Sequence, residues 1–153
     1  MNRIKVAAKS WIVVCDGAKA IILQNEGDAL KLDLRVAEVL SQPDERDRDL
    51  GSERPGRVHE SQGTRRSAVE QTDFHEEAEA QFLKGLADRL CDMVYNKKMQ
   101  AFVLIAAPKA LGVLRPHLNS AVEAAITAEI AKDLVKMPVA DIEKHIAAMM
   151  AAR

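Results

Sequence analysis

The sequence predicts one α/β domain over residues 1–153. Its expected core is a mixed five-stranded sheet, an antiparallel three-strand meander followed by parallel βα units, with helices packed on it. Three observations lead there. Three apolar segments near the N-terminus are separated only by short turn sequences, Asp16-Gly17 and Glu26-Gly27-Asp28. Further on, stretches of helical periodicity alternate with short apolar runs. A length of 153 residues with 48% apolar and 29% charged composition is that of a single globular domain with a sizeable core.

Ser10 to Cys15 is a β-branched run bounded by turn chemistry, the pattern of a strand buried on both faces. Asp16-Gly17 is a strong hairpin signal, since a tight primed turn needs positive φ at both central positions. Ala18 to Gln24 is then the antiparallel partner. From Leu30 to Val36, Leu30, Leu32, Leu34 and Val36 alternate with Lys31, Asp33 and Arg35, which predicts a half-exposed third strand.

The composition changes between Pro43 and Asp73, which is rich in Arg, Asp, Glu, Gly and Ser. A stretch of that length without periodicity predicts a long loop, about 43–73, inserted before a long helix, 74–96. Asp73-x-x-Glu76 reads as the helix's capping box. Phe74, Ala78, Phe82, Leu86, Leu90 and Val94 form its apolar stripe, and Lys97-Lys98 suit its C-terminal end.

Ala101 to Ala107 is a second fully apolar strand, expected to lie parallel to the first through a right-handed crossover. Pro108 opens the next helix at its first position, with Leu111, Leu114 and Leu118 on the buried face. Ser120-x-x-Glu123 reads as a second capping box. Ile126 to Ala131 alternates as a strand, although its Ala content also suits a helix. Met137-Pro138 breaks the chain before a C-terminal helix marked by Val139, Ile142, Ile146, Met149 and Met150. The order β-β-β-loop-α-β-α-β-α is the ribonuclease H-like arrangement.

Composition narrows the function classes. Aromatic residues make up 3% of the chain, too few for a base-stacking platform. A net charge of −1 gives no global attraction to nucleic acid or to an anionic membrane, so any nucleic-acid contact must rest on a local patch. The apolar run after Met1 to Lys9 stops at Asp16-Gly17, too short for a signal-peptide core or a membrane span, so a cytoplasmic protein without membrane contact is expected. Cys15 and Cys91 lack metal-site spacing and read as small apolar residues in a reducing compartment.

Ribonuclease H-like folds often carry two-metal nucleases, which need converging carboxylates. Asp16 could supply one, with Glu70, Glu76 or Glu77 a second. The fourth strand ends Ile105-Ala106-Ala107-Pro108 without an acid, and the Asp-Gly turn already accounts for Asp16. His59, His75, His117 and His145 lack zinc spacing. No cofactor or metal is expected.

The uneven charge lies in the loop. Asp44 to Asp49 holds four acids against two arginines, whereas Arg54 to Arg66 holds Arg54, Arg57, Arg65 and Arg66 against Glu60 alone. Arginine interspersed with glycine suits bidentate phosphate contacts and close backbone approach. The alternative is a solvated loop whose arginines pair with Asp44 to Asp49.

Trp11 to Ile22, Asp49-Leu-Gly-Ser-Glu-Arg-Pro-Gly-Arg57, Ser61-x-Gly63, Ala107-Pro-Lys-Ala-Leu-Gly-x-Leu-Arg115 and Lys132-Asp-Leu134, with Pro138 beyond, resemble the bacterial host attachment protein family over essentially the whole chain. That family is named for a phenotype. Its fold is similar to the middle domain of archaeal and eukaryotic peptide release factors, in which a Gly-Gly-Gln loop before a long helix enters the peptidyl-transferase centre. Ser61-Gln62-Gly63 occupies the corresponding stretch here without the two preceding glycines. The resemblance therefore implies contact with rRNA, tRNA or the ribosome through Arg54, Arg57, Ser61, Gln62, Gly63, Arg65 and Arg66, rather than catalysis. An adhesion or interaction role toward a protein or host surface is the alternative, and a metal-dependent nuclease or ester hydrolase the third. Oligomeric state is not legible.

Overall fold

The computed structural model describes residues 4–43 and 64–151, with side chains described over 4–43 and 73–151. Five described strands form one sheet: β1 (Trp11–Cys15), β2 (Lys19–Asn25), β3 (Leu34–Ser41), β4 (Phe102–Ala106) and β5 (Ile126–Ala131). Among the described residues, four α-helices accompany them: α1 (Thr64–Tyr95), α2 (Pro108–Leu114), α3 (Ser120–Ala125) and α4 (Val139–Ala151), with a 3₁₀ turn at Arg115–His117.

The spatial order is β3-β2-β1-β4-β5. The first two pairings are antiparallel, whereas β4 lies parallel to β1 and β5 parallel to β4. The mixed sheet is thus the one expected. β1 is central, with neighbours on both edges and helices over both faces, so its run is apolar without alternation.

The pleat divides the core in two. Val13, Cys15, Ile22 and Leu104 face the helices α1, α2 and α3, where Leu83, Leu86, Leu90, Leu114 and Val122 meet them. Ile12, Val14, Val103 and Ile105 face α4, which contributes Ile142 and Ile146. Phe102 is the one fully buried large aromatic among the described residues; Val, Ile, Leu and Met fill the rest, as the aromatic poverty requires.

Four local expectations need correction. The third strand runs over Leu34–Ser41 rather than 30–36. Asp28 Oδ1 accepts from the N–H groups of Leu30 and Lys31 at 2.9 and 2.8 Å, and Asn25 Oδ1 accepts from Gly27 and Asp33 at 3.0 Å each. These side chains hold 26–33 in a turn despite its alternating leucines. The Asp16-Gly17 turn is not of the primed type, since no described glycine has positive φ. Asp16 Oδ1 instead accepts from Ala18 and Lys19 at 2.8 and 2.9 Å.

The long helix begins at Thr64, not after Asp73, so Arg65 and Arg66 belong to its first turn and Asp73-x-x-Glu76 is internal. No glycine or proline falls between Gly63 and Gly85, and nothing in that stretch forbids helix. Asn119, rather than Ser120, caps α3, its Oδ1 accepting from the Val122 N–H at 2.8 Å. Pro108 does open α2 at its first position.

Candidate functional site at the carboxyl end of the sheet

The carboxyl ends of β1, β3 and β4 lie at one edge of the sheet, since β1 and β4 are parallel and β3 is antiparallel to their shared neighbour β2. Ligands of open α/β sheets commonly bind beyond such an edge. It is also where β3 ends, and α1, running back against the parallel strands, begins beyond it.

Four segments converge there. Gln42 Nε2 donates to the Gly17 carbonyl at 2.7 Å, and its backbone N–H donates to the Ala18 carbonyl at 2.9 Å, which ties the end of β3 to the β1–β2 turn. A Cβ on Gly17 would meet Glu79 Cδ at 2.8 Å, so α1 passes directly against that turn. Lys109 at the start of α2 brings its Nζ within 4.0 Å of Glu79 Oε1. Both groups are well exposed, so this pair orients more than it stabilises.

Between Ser41–Pro43 and α1 lies a cavity of about 440 Å³, lined by Phe74, Glu77, Ala78, Gln81 and Phe82 from the helix. Phe74 was expected in the buried stripe. It is 55% exposed instead, since that part of α1 has passed the end of the sheet. The ten residues 64–73 carry the helix backbone about 15 Å further. α1 therefore has two parts, a packed half over the sheet and a leading part that extends past it.

The leading part is electrostatically one-sided where side chains are described. Asp73, Glu76, Glu77 and Glu79 occur with no Lys or Arg before Lys84. Among the expected contact residues, Arg54, Arg57, Ser61, Gln62 and Gly63 lie outside the described residues, as does the acidic stretch Asp44 to Asp49. Arg65 and Arg66 are placed by backbone in the first turn of α1, and their side chains lie outside the described set.

The residues weighed for other chemistry are located differently. The Asp16 carboxylate is engaged by its own turn, β4 ends in Ala106 followed by Ala107 and Pro108, and no described group of three His, Cys, Asp or Glu is placed to hold a metal. Burial pushes the Cys15 thiol up to about 12, with the Asp16 charge adding to the effect, so it is a core residue rather than a nucleophile. Cys91 is half-buried on α1.

Gln42, Gly17 and Glu79 were not anticipated. A single Gln after a strand carries no sequence signal, and Gly17 signalled only its turn, not the helix crossing it. No described helix is long and apolar enough to cross a membrane. The sequence matches the family model described as Bacterial archaeo-eukaryotic release factor family 12 over residues 9–146, which takes in all five strands and the whole of α1. No curated protein matches it.

Proposed function

From the premise that the chain belongs to bacterial archaeo-eukaryotic release factor family 12, we propose that it acts on the ribosome as a cytoplasmic, non-enzymatic binding domain. Its contact residues on rRNA or tRNA are Arg54, Arg57, Ser61, Gln62, Gly63, Arg65 and Arg66. One observation carries the reading. α1 extends past the carboxyl end of the sheet, and Arg65 and Arg66 sit at its far tip, directly after the segment that holds the other five residues.

The charge distribution supports the same polarity. Asp73, Glu76, Glu77 and Glu79 near the body of the domain are repelled by phosphate, so a polyanion is met by the tip rather than by the flank. Ser61-Gln62-Gly63 supplies small and amide-bearing residues beside the arginines. It lacks the paired glycines before Gln62 that ester hydrolysis on the ribosome employs, and the role assigned here is binding.

Co-sedimentation with ribosomes at low salt tests this. The wild-type chain should pellet with ribosomes, and the fourfold reversal Arg54→Glu, Arg57→Glu, Arg65→Glu, Arg66→Glu should leave it in the supernatant. Equal pelleting of both would overturn the proposal.

The likeness of Asp49 to Arg57 to the host attachment family favours a second reading, an interaction factor for a protein or host-surface partner. Cell fractionation separates the two, because a protein confined to the cytosol cannot itself bind a host wall.

A further inference from the structure

The opposite end of the sheet, where β1 and β4 begin at Trp11 and Phe102, has a different character. Two cavities of about 850 and about 800 Å³ adjoin there and share Ile4 and Lys5. The last turn of α4 borders both, through Met149 in one and Met150 in the other. Apolar residues dominate the walls, with Ile130 in the first cavity and Leu30, Leu32 and Ala147 in the second. Leu30 is 98% exposed, held outward by the turn that Asp28 closes on the Leu30 and Lys31 N–H groups. Leu30 continues the apolar lining of the groove to the surface, and such a contiguous exposed patch is characteristic of interaction surfaces.

Lysines outnumber carboxylates in the lining of this groove, four to two. Lys5, Lys31, Lys132 and Lys144 line it, all exposed, and none forms an ion pair among the described residues. Its two carboxylates are already engaged. Glu129 pairs with Arg115, and Glu143 accepts from the Leu34 N–H at 2.9 Å. The Glu143 charge remains, and the lining keeps a net positive excess around an apolar floor.

We propose that this groove docks an acidic amphipathic helix of a partner protein, its apolar stripe on Ile4, Leu30 and the two methionines and its carboxylates on the four lysines. Helix-in-groove recognition uses this division of labour, and thioether side chains adapt to such an apolar stripe. The observations weigh against the other occupants. A second copy would place the same four lysines against themselves in a two-fold interface. A bilayer is flat, whereas these surfaces are concave. Nucleic acid would leave the Met, Ile and Leu lining unused, and the groove offers ammonium point charges rather than guanidinium forks.

The test is amide-resolved NMR on the full ¹⁵N-labelled chain. The probe is a synthetic helical peptide with Leu at i, i+3, i+4 and i+7 and Glu elsewhere. The comparators are the same peptide with Lys for Glu, poly(U), and phosphatidylserine/phosphatidylcholine vesicles. The acidic peptide should shift the amides of Leu30, Lys31, Lys144 and Ala147, and the Lys peptide should not. The double variant Lys5→Glu, Lys144→Glu should weaken binding roughly tenfold or more, because like charges would then oppose one another. Leu30→Ser should also weaken it, with an unchanged circular dichroism spectrum showing that the fold is intact. Unmoved amides, equal binding of the Lys peptide, or stronger shifts from poly(U) or vesicles would each overturn the proposal. These variants leave Arg54, Arg57, Arg65 and Arg66 untouched, so ribosome co-sedimentation reports separately on the function proposed above.

Discussion

Gly17 in the β1–β2 turn lies so close to Glu79 of α1 that a Cβ would meet its Cδ at 2.8 Å and its Cγ at 2.9 Å. The obstacle is a flexible side chain, and Gly17 does not need positive φ. Gly27 is crowded differently, since its Cβ would sit 2.2 Å from the Lys31 carbonyl oxygen and 2.9 Å from the Asp33 nitrogen. Backbone cannot swing aside. Gly17→Ala should cost less than about 1 kcal/mol, whereas Gly27→Ala should cost about 2–3 kcal/mol. Urea denaturation of the two variants checks the order, and an equal loss would show that the crowding at Gly27 relaxes.

Asn25 is fully buried, and its amide closes the turn next to Gly27. Its Nδ2 donates to the carbonyls of Ala7 and Asp28 at 3.1 and 3.2 Å, while its Oδ1 accepts from Gly27 and Asp33. Removing the amide strands donors and acceptors on three segments at once. Asn25→Ala should destabilise by about 3 kcal/mol. Asn25→Asp should be no better, because a carboxylate there would face two carbonyl oxygens. Thermal melts of both variants measure this.

Arg89 on α1 donates from Nε and Nη2 to the two carboxylate oxygens of Glu38 on β3, at 2.8 Å each. The guanidinium holds the Glu38 carboxyl below its ordinary value, first through these hydrogen bonds. A group whose folded pKa is depressed adds stability above its unfolded pKa, about 4.3 for glutamate. That stability is lost as pH falls through the folded value. Both side chains are about one-third exposed, 33% and 30%, so solvent screening limits the contribution to about 1 kcal/mol. Wild type should therefore exceed Glu38→Gln by that amount at pH 7, and the two stability curves should converge in acid. Parallel curves down to pH 3 would refute the assignment.

The sheet was legible because β1 and β4 are buried on both sides, which leaves short uninterrupted apolar runs of strand length bounded by turn residues. Boundaries were less legible, for a shared reason. Asp28 and Asn25 act on backbone groups several residues away, and a strand pattern read from Leu30 to Val36 contains nothing of that action. Asp73-x-x-Glu76 has the spacing of a cap but lies on a helix that had already begun at Thr64. The proposed contact residues were legible only as chemistry. Arg54 to Arg66 stand out by charge, whereas the junction of Gln42, Gly17 and Glu79 depends on three segments distant in sequence.

The two thiols should react at very different rates. Cys15 is fully buried and its thiol is pushed up to about 12, whereas Cys91 is half-buried. The thiolate is the reactive form. An aromatic disulfide reagent at pH 8 should titrate Cys91 in the native protein and reach Cys15 only on unfolding. Cys91→Ser should then show no fast phase, and a fast phase in that variant would mean that the β1 end of the core opens.

Salt dependence gives the most direct physical test of the four proposed contact arginines. Each phosphate neutralised by a basic side chain releases condensed counterion, so the logarithm of the binding constant falls linearly with the logarithm of salt concentration. Arg54, Arg57, Arg65 and Arg66 acting together on single-stranded rRNA predict a slope of about −3. Each Arg→Ala change should then make the slope shallower by about 0.7 and weaken binding to all RNA sequences alike, since phosphate carries no sequence information. Lys109→Ala, at the base of the site beside Glu79, should leave the slope unchanged, because the acids around it repel phosphate. A slope near zero for wild type would point to a protein surface on the ribosome as the contact. A slope that shifts with Lys109 but not with Arg65 or Arg66 would move the RNA interface from the tip of α1 to the edge of the sheet.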